Sequence, residues 1–124
     1  MLACSAVMCI SGGVVKFMDL SIPQWIGRKF DWAMSIEVGE HLPAKFEATF
    51  MDNLARHAKR GVVLSWALEG QGGHHHVNSH NNNYVIAKLA ARRLQYDEKA
   101  SMQLRGQVLS LNWLKSTLMV FRRQ

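Results

Sequence analysis

The 124-residue chain carries 15 Lys+Arg against 9 Asp+Glu, a formal net charge of +6, and is 48% hydrophobic with only two prolines and nine glycines. That composition excludes a disordered or collagen-like chain, and the length allows one domain. No apolar run reaches the roughly 18 residues of a membrane span, and two cysteines, Cys4 and Cys9, build neither a disulfide scaffold nor a four-cysteine zinc site.

Leu2–Val15 is apolar and about as long as a signal-peptide core, but it lacks the preceding positive charge. It reads better as a divergent apolar leader, residues 1–15, ahead of a domain covering 16–124, and the expected location is the cytoplasm. Val14–Met18 is a short strand candidate ending at Asp19, before a turn at Ser21-Ile22-Pro23. Phe30–Ile36 is apolar almost throughout, as in a strand buried on both faces. Pro43 opens a helix in which Phe46, Phe50, Leu54 and Ala58 recur every four residues, with Gly61 as its stop. Val62–Leu68 is the clearest strand, and Glu69–Asn83, rich in Gly, His and Asn, is a loop. A helix follows from about Asn82 to Leu94, with Asn81 or Asn82 as its cap, and a second from Asp97 to Leu109. Ser116–Phe121 closes the chain as a strand.

This order is α/β, and in such sheets ligands bind beyond the carboxyl ends of the strands. Polar residues gather there: Asp19 after the first strand, Glu37, Glu40 and His41 after the second, and the Gly/His loop after the third. Asp19 can hydrogen-bond a ligand amine or cap its own turn. Glu37 and His41 share a face if their segment is helical, and a carboxylate–imidazole pair suits acid–base work; acidic residues of a helical first turn are the plainer reading. His74, His75, His76 and His80 lie in one Gly/Asn-rich loop without separated ligand pairs, so no metal site is expected. Ser35 and Ser65 lack a nucleophile-elbow context. The basic clusters around Arg56–Arg60, Lys88–Arg93 and Arg122–Arg123 lie on separate segments and read as solvated helix faces rather than a nucleic-acid surface.

Three segments read together carry a resemblance. Phe30–Pro43 contains D-x-x-x-S-x-E-V-x-E-H-x-P, Gly61–Asn78 contains W-A-x-x-G-Q-G-G-x-x-H-V-N, and Ser116–Arg123 is STLMVFRR. In this order and spacing they resemble class I S-adenosylmethionine-dependent methyltransferase-like proteins, from about Lys16 to Arg123. The resemblance implies a partial Rossmann-like sheet with flanking helices, covering the family's third to seventh strands. Phe17–Ser21 stands for the third strand, with Asp19 toward the adenine. Phe30–Ile36 stands for the fourth, with Ser35, Ile36 and Glu37 lining the cofactor crevice. Gly61–Leu68 stands for the fifth, and the last strand for the antiparallel seventh. Glu40, His41 and His76 become acceptor-side residues, with His41 as the base.

The family's G-x-G-like turn after its first strand lets the backbone approach the cofactor's methionine moiety, and an acid after its second strand holds the ribose. Neither stands at its place here: Gly12-Gly13 precedes the third strand with no acid at the right distance, and Gly70-Gln71-Gly72-Gly73 follows the fifth. The expectation is therefore the carboxyl-terminal portion of a methyltransferase-like protein, inactive by itself, toward an unidentified small-molecule or protein methyl acceptor. No membrane or nucleic-acid partner is expected. The alternative is a non-enzymatic interaction module, self-associating through an exposed sheet edge.

Overall fold

The computed structural model describes residues 12–124, so Cys4, Cys9 and most of the apolar leader lie outside the described residues. The elements are β1 (Phe30–Ser35), α1 (Glu47–His57), β2 (Ala58–Leu64), α2 (Asn82–Ala90), β3 (Leu94–Tyr96), α3 (Glu98–Gly106), α4 (Leu114–Thr117) and β4 (Met119–Arg123). The strands form one sheet in the order β1-β2-β4-β3. β1 and β2 run parallel, while β4 lies antiparallel between β2 and β3. This is the α/β architecture expected, with the last strand antiparallel in its middle.

Side chains alternate across a strand, and the register shows what each face meets. Val62 pairs with Phe121 and Leu64 with Met119. These four point to one face and pack with Phe50, Met51 and Ala55 of α1 and Val85 and Leu89 of α2 into the main core. Trp32, Val63 and Val120 turn to the other face, where they line a groove with Ala100 and Leu104 of α3. α1 exists because Phe50, Met51, Leu54 and Ala55 recur at helical spacing on its core side. α3 starts at Asp97, whose carboxylate accepts from Ala100 N–H at 2.9 Å.

Four sequence-based expectations need correction. The strand placed at Val14–Met18, or Phe17–Ser21 by resemblance, is not a strand. Asn53 and His57 of α1 tie down the residues that follow it. Asn53 Oδ1 accepts from Gln24 N–H at 2.8 Å, its Nδ2 donates to the Ile22 carbonyl at 2.9 Å, and His57 Nε2 accepts from Ile26 N–H at 3.2 Å.

The second correction is that α1 ends at His57 and β2 starts at Ala58, four residues before the expected Val62. The Arg123 guanidinium donates to the carbonyls of Ala55 and Ala58, terminating the helix from a distant strand. Gly61 is therefore no helix stop. It sits within β2, where a Cβ would overlap the Trp32 ring and the Phe121 carbonyl. Gly61→Ala is expected to cost about 1–3 kcal/mol by overpacking, read as a lower urea midpoint; an unchanged midpoint would show that β2 and β4 part freely there.

Third, the helix expected to reach Leu94 stops at Ala90, because Arg93 turns left-handed at φ 59° and sends Leu94–Tyr96 into the sheet as β3. Asn81 holds the cap position of α2, yet its side chain bonds no helix N–H and turns to Glu69. Last, the closing strand runs Met119–Arg123, the preceding Leu114–Thr117 being helical.

Among the described residues β1 pairs only with β2, and Met34 on it is 74% exposed. No helix among the described residues is long and apolar enough to cross a membrane.

Candidate functional site

The parallel strands β1 and β2 end together, and their ends are joined by two serines. Ser65 N–H donates to the Ser35 carbonyl at 3.0 Å, extending the pairing past the strands. Ser65 Oγ, fully buried, accepts from Glu37 N–H at 2.8 Å and donates to Glu37 Oε1 at 2.7 Å. These bonds hold Glu37 in a left-handed conformation at φ 53°, which costs a non-glycine residue about 1–2 kcal/mol. Ser35 Oγ is buried without a hydrogen-bond partner.

Beyond this turn Gly39–His41 form a single 3₁₀ turn. Gly39 lies against the Trp66 indole, which a Cβ there would overlap. That close approach drives Glu40 inward: its side chain is fully buried and neither carboxylate oxygen has a partner. Burial, assisted by the Glu37 charge, pushes the Glu40 carboxyl above the ordinary glutamate range, against the pull of its own backbone N–H and of His41 and His76. The Glu40 carbonyl accepts from Val77 and Asn78 N–H at 2.9 and 3.0 Å, docking the Gly/His loop onto the turn. His76 consequently stands edge-on to His41, ring centroids 5.0 Å apart.

The loop is pinned a second time by Glu47 of α1. Asn78 Nδ2 and Tyr84 Oη donate to its carboxylate at 2.9 and 2.8 Å, and His80 Nε2 lies 3.0 Å from it. Trp66 Nε1 donates to the Asn78 carbonyl at 2.6 Å. Burial would raise the Glu47 carboxyl, but the bonds from Asn78, Tyr84 and His80 outweigh it and hold the group below its ordinary range.

Two cavities open on either side of the Ser35–His41 segment. One, about 330 Å³, is lined by Ser35, Ile36, Val38, Phe50 and Leu54, with Met18 and Leu20. The other, about 300 Å³, is lined by Glu37, Gln71, Gly72, Gly73, His76 and Trp113. Of the residues singled out in the sequence, Ser35 and Ile36 face the first cavity. Asp19 stands between two of its lining residues, with Oδ1 accepting from Ser21 N–H at 2.9 Å and Ser21 Oγ at 2.6 Å, bonds that lower its pKa. Glu37 faces the second cavity together with His76. Glu40, His41 and His76 come together into one cluster. His80 belongs to the Glu47 network and His74 is exposed.

Glu47, Ser65 and Tyr84 were not legible as site residues. Asn78 had one signal, its place at the end of the W-A-x-x-G-Q-G-G-x-x-H-V-N stretch.

No family model and no curated protein matches the chain. Solved structures do. Magnesium protoporphyrin IX methyltransferase (ChlM) from Synechocystis PCC 6803 with bound S-adenosylhomocysteine superposes with a TM-score of 0.60 at 16% identity, over 86% of this chain and 49% of that one. The same enzyme with bound S-adenosylmethionine gives 0.59 at 18% identity, over 86% and 44%. The chain thus spans about half the length of these neighbours. At such identities the likeness speaks for the fold alone: the sheet and its helices share the Rossmann-like α/β fold of these neighbours.

Proposed function

We propose that the chain is the carboxyl-terminal portion of an S-adenosylmethionine-dependent methyltransferase-like domain, supplying one wall of the cofactor crevice and the acceptor-side groups, and that it transfers no methyl group by itself. The carrying observation is Ser35 at the carboxyl end of a parallel strand: it lines an apolar cavity of about 330 Å³, and its buried hydroxyl has no partner. A buried hydroxyl without a partner costs about 1–3 kcal/mol, and a polar edge of an adenosyl group relieves that cost. The wall fits the nucleoside end of the cofactor. The one G-x-G string, Gly70-Gln71-Gly72, follows β2 and not a first strand, so it does not serve the methionine end.

S-adenosylmethionine supplies an electrophilic methyl on a sulfonium sulfur. Catalysis by the domain is then mainly positioning. Ser35 and Ile36 hold the cofactor wall, and Asp19 serves the adenine amine. Glu37 and His76 face the acceptor cavity. His41 donates its Nδ1–H to the His75 carbonyl at 3.1 Å, which leaves Nε2 as the lone pair that takes the acceptor's proton. Acceptors of either kind, small molecule or protein, are compatible with the exposed second cavity.

The purified chain is expected to give no methyl transfer from radiolabelled S-adenosylmethionine and no cofactor-dependent rise in Tm. Fused behind a strand and G-x-G turn of the class I methyltransferase type, it should gain both. Turnover by the chain alone, lost in Asp19→Ala or Ser35→Ala, would overturn the reading. A binding module is the second reading, favoured by the β1 edge, unpaired among the described residues, with its exposed Met34. Sedimentation of the same sample separates the two: growth in size with concentration, with no gain of activity on extension, belongs to the module.

A further inference from the structure

Glu40 is the least explained group in the molecule: a fully buried carboxylate with both oxygens unpartnered. Burying a carboxyl whose oxygens make no hydrogen bond is costly, and a bound cation relieves that cost. The side chains around it are imidazoles, and one ligand-capable atom from each of Glu40, His41 and His76 lies within 4.8 Å of the other two.

The imidazoles are oriented as ligands are. His41 Nδ1 lies 3.1 Å from the His75 carbonyl and His76 Nδ1 lies 3.4 Å from the Gln71 carbonyl. A carbonyl only accepts, so both rings carry the proton on Nδ1 and present a lone pair on Nε2. Metal-binding histidines are fixed in this way by a backbone carbonyl behind the ring. Space is also kept for one of the rings. Gly73 lies so close to His76 that a Cβ there would overlap the imidazole. His75, whose carbonyl receives the His41 proton, is itself held left-handed at φ 58°.

We propose that Glu40, His41 and His76 form a binding site for one divalent transition-metal ion of the zinc class. Two imidazoles and a carboxylate suit Zn²⁺, whereas magnesium and calcium prefer all-oxygen sets. Bonds of about 2.0–2.1 Å in a tetrahedral set bring ligand atoms to about 3.3 Å apart, so the ion draws the three groups together from their present spacing. Rotation of the three side chains supplies that movement, while the bonds from Val77 and Asn78 to the Glu40 carbonyl keep the loop in register. The fourth position opens toward the cavity shared by His76 and Glu37, where water or an acceptor oxygen coordinates. Loaded, the site takes His41 as a ligand and no longer as a free base. The assignment does not rest on the methyltransferase reading.

The test is metal titration of the purified chain alone, without cofactor or acceptor, using Zn²⁺ against a chromophoric chelator and Co²⁺ as a spectroscopic probe. One equivalent is expected to bind, with the visible absorption of a tetrahedral Co²⁺ centre. His41→Ala, a change at an exposed side chain, should weaken binding by about tenfold or more. Glu40→Gln and His76→Ala should do the same, and Gly73→Ala should do so by displacing the His76 ring. Circular dichroism and melting curves show that each variant is folded. His74→Ala, in the exposed histidine run, should leave the affinity unchanged. Binding that survives His41→Ala and Glu40→Gln, or that is lost with His74→Ala, would place the ion in the exposed run and overturn the assignment, as would no stoichiometric binding at all.

Discussion

Replacing Trp66 with alanine is expected to remove about 3–5 kcal/mol of stability, a large share of the 5–15 kcal/mol that holds a domain of this kind. The indole is fully buried just beyond the end of β2 and meets Phe50 edge-on at 5.8 Å. Its loss removes the largest fully buried side chain of the core. It also removes the Nε1 bond to the Asn78 carbonyl and the surface on which Gly39 rests. The 3₁₀ turn carrying Glu40 and His41 therefore loses its floor together with the core. Urea unfolding followed by far-UV circular dichroism reads the effect, the midpoint falling with little change in slope. Trp66→Phe keeps most of the packing and forfeits the one hydrogen bond, so its cost should be near 1–2 kcal/mol. A loss below about 1 kcal/mol in Trp66→Ala would mean that the ring is not the support of this turn.

The same tryptophan marks how far the sequence could be read. α1 was legible because apolar residues recur there at helical spacing. β1 and the last strand were legible because their runs are apolar almost throughout, although β1 is not buried on both faces: Phe30, Asp31 and Met34 are exposed. The gathering of Glu37, Glu40, His41 and His76 at one sheet edge was legible because polar groups follow strand ends in an α/β order. What escaped depends on contacts distant in the chain. Ala58 looks like the next turn of α1 until Arg123, 65 residues on, binds its carbonyl. β3 is three residues long and is announced by Arg93 in a conformation that glycine or asparagine usually takes, so no punctuation precedes it. Val14–Met18 has strand composition, yet it forms no strand, and the residues after it are held by Asn53 and His57 of α1. The histidines were read as one undivided run. Only folding separates His76, turned to Glu40, from His80, turned to Glu47, and from exposed His74.

Glu47→Ala is expected to cost about 3 kcal/mol and to loosen the Gly/His loop from α1. Hydrogen bonds to a charged group contribute about 1.5–3 kcal/mol each, less than additively, and this carboxylate receives Asn78 Nδ2, Tyr84 Oη and His80 Nε2. At the start of a helix a glutamate looks like a complement to the dipole; here it is 6% exposed and serves as the hub of the loop. The folded-state pKa is depressed, so the stabilisation is complete above the ordinary glutamate range and drains away as the pH falls through the folded value. Wild-type protein should accordingly lose stability on acidification below the ordinary glutamate range. Glu47→Gln, unable to titrate and retaining one acceptor oxygen, should start lower at neutral pH and lose less on the way down. Asp97, lowered by the Ala100 N–H and by Arg122, keeps a second acid-sensitive contribution in both proteins. The measurement is urea unfolding at a series of pH values for the two proteins. Parallel curves would show that the Glu47 carboxylate is not what secures the loop, whereas convergence at low pH assigns that part of the acid sensitivity to this one group.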